Sequence, residues 1–354
     1  MKKFISLILA AAMALSVFAV SALAEEAEKP SFKVAIVQQL DHASLDEIRT
    51  AAEGKLLALA EENGVELEVK DFNGQNDATV LNQIGAKVVS DGYDAILPIA
   101  TRAATGMTTA TEDTDIPVIY AAISDPESSG LTGIENVTGT SDALNTPFIL
   151  DMMLAVQPDI QTVGLLYSRS EINSEVPIAQ AKEYLDEKGI AYIEKTGNTA
   201  DEVLSAASEL AERCDAVFTP TDNTVMAVES AVAEILNEAG VPHYTGADSF
   251  VACGAFTTCG VNYTELGEKT AEMAFDILMG GEVPEFHVMD GGIITVNTET
   301  AAPASMAAGK ARYGCPATAS VADTAQPRVN APLVVMSAIF STRKLRNSAS
   351  ATKE

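Results

Sequence analysis

The 354 residues carry 50 Asp and Glu against 22 Lys and Arg, a formal net charge of −28, which repels nucleic acid and anionic membrane surfaces as partners. The length holds two medium domains or one large one, each able to bury its own core. Cys214, Cys253, Cys259 and Cys315 form no CxxC pair and no Cys/His cluster at zinc spacing, so buried thiols are expected, with a local Cys253 to Cys259 disulfide as the alternative.

Residues 1–24 read as a cleavable secretory signal peptide. Lys2 and Lys3 precede an apolar stretch over 4–20, and Ala22 and Ala24 supply the small residues of a cleavage site before Glu25. A lipoprotein signal places a Cys where Glu25 stands, so there is no lipobox. The mature protein is expected to be extracytoplasmic, in a periplasm or secreted.

From Phe32 onward, short apolar runs alternate with longer helical patterns, the signature of an α/β protein with parallel sheets covered by helices. Strands are expected over 33–37, 65–72, 95–99 and 117–122. Helices are expected over 44–62, to about 90 and to about 113, the first with Ser44 as N-cap, Glu47 completing a capping box and Asn63-Gly64 as the stop. A second, similar series follows Asn145: a helix to 155, then strands over 163–167, 191–194, 216–219 and 242–244. Its helices are expected over 175–188, 200–213 and 223–239, and a helix over 265–279 and a strand over 292–296 complete the pattern. From about residue 302 to 354 the text turns rich in Ala, Pro, Ser and Thr, with seven Lys or Arg against two acids from Ala307 on; this reads as a disordered tail.

In open parallel sheets, ligands sit beyond the carboxyl ends of strands, near helix N-termini that offer free N–H groups to anions. The loops in those places are dense in hydroxyls, amides and carboxylates: 38–46, 101–104, 124–126, 168–174 and 219–224. Hydroxyls and helix starts suit a carboxylate, whereas Asp222, Asp125 or Glu171 suits an ammonium; the same residue types are also ordinary N-caps. No nucleophile elbow, HExxH, Walker loop or dinucleotide glycine fingerprint occurs, and His42, His243 and His287 stand far apart in sequence. No enzyme activity and no cofactor are expected.

A set of segments resembles one family. They are Leu40-Asp41-His42 with Ser44-Leu45-Asp46, Pro98 to Thr101, Ser124-Asp125-Pro126, Asn136 to Asp142, Ser170-Glu171 with Asn173-Ser174, Pro220 to Asn223, and Gly260 to Tyr263 with Leu266-Gly267. Together they are similar to the substrate-binding proteins of ABC importers, in the tryptophan- and tyrosine-binding subgroup, over roughly residues 33–300. The resemblance implies a type I periplasmic binding protein, with two Rossmann-like lobes joined by a hinge of three crossing segments. One lobe is expected over 32–144 and 261–285, the other over 145–260 and 286–301. It also implies capture of a small solute, an amino acid and in some members an aromatic one, by a monomer that delivers it to a membrane permease with a cytoplasmic ATPase. A sensor presenting its ligand to a membrane receptor is the alternative.

Carried over by position, Thr101 and Ser124 hold a ligand carboxylate, Asp222 holds the amino group, Glu171, Asn173 and Asn223 add polar contacts, and His42 and Leu45 border the side-chain pocket. Arg102 departs from the small residue or Pro usual there and puts the ligand's identity in question. With 5% aromatic residues and no Trp, few rings are at hand for stacking: Tyr93, Tyr120, Tyr167, Phe256 and Tyr263 are the candidates.

Overall fold

Val34, Ala35, Ile36 and Val37 are all inaccessible to solvent, as a parallel strand covered on both faces requires. They lie in β1 (Ser31–Gln38) of a computed structural model that describes residues 29–300 and 319–321. The expected signal peptide lies outside the described residues. So does the expected tail, except that Ala319–Val321 forms a strand.

The first sheet also contains β2 (Glu66–Asn73), β3 (Ala95–Ile99), β4 (Val118–Tyr120) and β5 (Val137–Ser141). The second is built from β6 (Thr162–Tyr167), β7 (Ala191–Thr196), β8 (Ala216–Thr219), β9 (His243–Thr245) and β10 (Thr257–Gly260). The chain then adds β11 (His287–Val288) to the first sheet and β12 (Ile293–Val296) and β13 (Ala319–Val321) to the second. The resulting orders are β2-β1-β3-β4-β5-β11 and β7-β6-β8-β9-β10-β12-β13. Each lobe thus repeats the doubly wound order 2-1-3-4-5, whose switch point lies between its first and third strands. The second sheet is not wholly parallel, because β12 runs antiparallel to both β10 and β13.

Helices α1 (Ala43–Asn63), α2 (Ala78–Ser90) and α3 (Thr101–Ala110) belong to the first lobe. The second lobe holds α4 (Thr146–Val156), a 3-10 turn at Ile172–Ser174, α5 (Glu175–Lys188), α6 (Ala200–Ala211), α7 (Asn223–Met226), α8 (Glu229–Ala239) and α9 (Asp248–Ala252). Helix α10 (Tyr263–Leu278) returns to the first lobe and packs along α1. At Gly267 a Cβ would stand 2.5 Å from the Ile48 carbonyl, so the two helices approach closely only because that residue is glycine. Buried apolar side chains form one cluster per outer sheet face and a third that runs through both lobes.

Several expectations need correcting. Ser44 is not the N-cap of α1: the helix starts at Ala43, His42 occupies the cap with no side-chain bond, and the Ser44 hydroxyl instead meets that of Ser249 at 2.5 Å. The single helix expected over 223–239 is two, interrupted at Ala227 and Val228, which places buried Glu229 at the start of α8 beside His243. Strands β5 and β10 were not anticipated. The segment from 286 does not enter the second lobe at once, because β11 pairs with Thr140 and Ser141 of the first sheet and the chain crosses between Val288 and Ile293. The other crossings lie between Ser141 and Thr146 and between Gly260 and Tyr263.

Candidate functional site

The carboxyl ends of the two sheets face each other across a partly open cavity. Its lining comes from both switch points. His42, Ser44 and Leu45 follow β1 and Ala100 and Thr101 follow β3 in one lobe, while Asn173 follows β6 and Thr221, Asp222 and Asn223 follow β8 in the other. Gly246 lets the loop after β9 lie against Thr221, since a Cβ there would stand 2.7 Å from the Thr221 nitrogen.

Of the residues expected at a site, His42, Leu45, Thr101, Ser124, Asn173, Asp222 and Asn223 line this cavity; Asp125 and Glu171 do not. Asp125 is half-buried and accepts the Ser128 N–H at 2.9 Å, bracing its own turn. Glu171 is buried behind the cavity, in the interface between the lobes. The sequence reading gave no site role to Asp142, Met226 and Phe250, and it gave Tyr263 only as a candidate ring.

The backbone is strained where it turns into the cavity. Ala100 has φ 73° and ψ 159°, and Ala122 has φ 58°, conformations that cost a residue with a Cβ about 1 to 3 kcal/mol each. The turn at Ala100 brings the N-terminus of α3 to the cavity wall. Thr101, its first residue, lines the cavity, and its buried Oγ1 has no hydrogen-bond partner.

Asp222 acts as the N-cap of α7. Its Oδ1 accepts from Val225 N at 2.9 Å, and its Oδ2 accepts from Ser168 N and Ser174 Oγ, both at 2.7 Å. Burial raises its proton affinity against the pull of those donors. Asp142, just after β5, accepts from Ser124 Oγ at 2.9 Å and from Tyr263 Oη at 3.0 Å. Burial likewise raises the Asp142 carboxyl, and burial next to this carboxylate pushes the Tyr263 phenol up, so that phenol stays a donor.

Hydrogen bonds close the cleft from side to side. Because Ser124 donates to Asp142, Thr221 Oγ1 is the donor to Ser124 across the cleft, at 3.0 Å. Gln39 donates to Glu171 at 3.0 Å, and Arg102 donates to the Ser170 carbonyl at 2.7 Å. Arg102 is therefore a tie at the lobe interface and not part of the cavity wall. Asn223 donates from Nδ2 to Glu171 at 2.7 Å, which turns its oxygen toward His42 Nε2 at 3.1 Å and makes that nitrogen the donor. Burial lowers the His42 pKa, so the ring is neutral near pH 7. Burial and the nearby Asp222 charge raise Glu171.

One constellation outside the cavity has the form of a catalytic relay: His243 meets Glu229 at 3.0 Å through Nδ1 and Thr219 at 2.8 Å through Nε2. All three residues are sealed in the second lobe, and none lines the cavity. Among the described residues, no group of three or more His, Cys, Asp or Glu could hold a metal ion. Cys214 and Cys259 are buried thiols, raised by burial to about 11 and about 12, and His287 is exposed. No described helix is long and apolar enough to cross a membrane.

Relatives at 28–33% identity are binding proteins and not enzymes. The chain is 31% identical over 319 residues to a tyrosine-binding protein of Clostridioides difficile, covering 84% of this chain and 91% of that one. A Streptococcus pneumoniae ABC domain solved in complex with L-Trp superposes with a TM-score of 0.72 at 28% identity, over 77% of this chain and 94% of that one. The ligand-free, open structure of a C. difficile substrate-binding protein with adhesive properties gives 0.60 at 33% identity, over 78% and 96%. The better superposition on the ligand-bound structure, despite its lower identity, agrees with the cross-cleft bonds of a closed form. The family described as ABC transporter substrate binding protein matches residues 33–305, and this chain belongs to that family.

Proposed function

We propose that the protein captures an amino acid, aromatic by preference, between its lobes and hands it to the permease of an ABC importer outside the cytoplasm. The observation that carries this reading is a cavity lined by two complementary kinds of group: a helix N-terminus with the unpartnered Thr101 hydroxyl, and buried carboxyl groups. A zwitterion satisfies both. Leu45, Met226, Phe250 and Tyr263 supply an apolar wall for a ring. The tyrosine-binding relative and the L-Trp complex support an aromatic side chain. Cleavage of the signal peptide after Ala24, a monomeric state and delivery to a permease with its ATPase belong to the same reading.

The test is a thermal-shift screen followed by calorimetry against amino acids, nucleosides and sugars. A ligand at 100 times its Kd stabilises a protein by about 2.7 kcal/mol. L-Tyr or L-Trp is expected to give the largest shift, and a response to sugars alone sinks the proposal. Deleting the gene is expected to abolish uptake of the same amino acid; unchanged uptake counts against transport.

A further inference from the structure

The cavity has two acidic side chains and no basic one to balance them: Asp142 and Asp222 line it, and no Lys or Arg does. Asp222 is already committed to its three loop donors and is 0% exposed. Asp142, 4% exposed, is held differently. Its side-chain partners are neutral hydroxyls, one on each oxygen, and its own backbone N–H also bonds the carboxyl, which leaves about one of a carboxylate's roughly four acceptor positions open. No cation is paired with it.

A second acceptor lines the same cavity. Asn173 is 7% exposed, and its Nδ2 donates to the Thr221 carbonyl at 2.6 Å, which fixes the orientation of the amide. Its Oδ1 is thereby an acceptor, buried and without a partner. A buried acceptor left unpaired is destabilising until a donor reaches it. The donors that the first lobe offers there, the Thr101 hydroxyl and the start of α3, are neutral.

We infer that Asp142, borne by the first crossing segment, binds the ligand's ammonium together with the Asn173 side-chain oxygen, and that this ammonium rather than the ligand's carboxylate is the group the cavity requires. The inference rests on the amino-acid reading above and moves the amino-group contact from Asp222 to Asp142. It makes the ligand class primary amines bearing an apolar ring, among which α-amino acids bind best.

Calorimetry with the purified protein separates the possibilities, using L-tyrosine, L-tryptophan, the decarboxylated amine tyramine and the deaminated acid 3-(4-hydroxyphenyl)propionate. The wild-type protein is expected to bind the better of the two amino acids first, tyramine next and the acid last. Asp142→Asn is expected to weaken the amino acid and the amine by about 30-fold or more and to strengthen the acid. Its melting temperature without ligand should hold or rise, because a buried carboxyl is removed, whereas Asp222→Asn should melt earlier through loss of a cap. Unchanged amino-acid affinity in Asp142→Asn overturns the inference and leaves the amino-acid reading standing. So does tighter wild-type binding of the acid than of tyramine, a result that needs no variant. If the wild-type protein binds neither amino acid, reading and inference fall together.

Discussion

Gln39 joins the two lobes through Glu171: its side-chain nitrogen donates to the carboxylate at 3.0 Å while its oxygen accepts the Arg102 backbone N–H, also at 3.0 Å. Neither Gln39 nor Glu171 lines the cavity. They hold the closed form without touching what it encloses. Gln39→Leu should therefore speed ligand dissociation by about 10-fold, the equivalent of about 1.4 kcal/mol, with the association rate nearly unchanged. Stopped-flow fluorescence measures both rates, and an unchanged dissociation rate removes Gln39 from the latch.

The same junction sets a pH dependence. Burial and the Asp222 charge hold the Glu171 proton above the ordinary carboxylate range, so its folded value exceeds its unfolded one, about 4.3. Between the two values the folded protein binds the extra proton, and its stability falls as pH rises. The contribution is complete below the unfolded value and is lost through the raised one. The melting temperature is expected to decline from pH 4.5 to 8, and Glu171→Gln should flatten that decline. Superimposable pH profiles of wild type and variant refute this account.

Backbone strain at the cavity wall can be relieved by glycine. At Ala100 and Ala122 the positive φ penalises a Cβ by more than the added freedom of glycine costs in the unfolded chain. Ala100→Gly should raise stability by up to about 1 kcal/mol while blurring the aim of α3 and weakening ligand binding. Denaturant unfolding and calorimetry report the two effects separately; a loss of stability would show that Ala100 is not strained.

The His243 and Glu229 pair is a structural element of the second lobe. Glu229→Ala removes one partner from a fully buried contact, which costs about 3 kcal/mol or more. The readout is equilibrium unfolding in urea. A variant as stable as wild type would mean that the pair adds nothing to the fold.

Much of this architecture was legible because buried parallel strands are written as continuous apolar runs, as in Val34 to Val37 and Ala216 to Phe218. The positions of Thr101, Ser124 and Asn223 followed from their place after such strands. Strands β5 and β10 read Val-Thr-Gly-Thr-Ser and Thr-Thr-Cys-Gly, and their small polar residues conceal them. Asp142 follows β5 directly, so its role was concealed with it. The function of Asp222 depends on donors from Ser168 and Ser174, 54 and 48 residues away, which no local pattern announces. Ser44 fitted a capping motif, yet its partner is Ser249 in the opposite lobe.

The contact between Tyr263 and Asp142 joins two of the segments about which the lobes must turn. Atoms near a pivot travel least when the arms swing, so this contact should survive opening while the bridges from Ser124 to Thr221 and from Arg102 to Ser170 should part. An arriving molecule thus meets one carboxylate already in place at the axis. It can settle there before either arm has moved, and the arms then shut on a guest already held by one end.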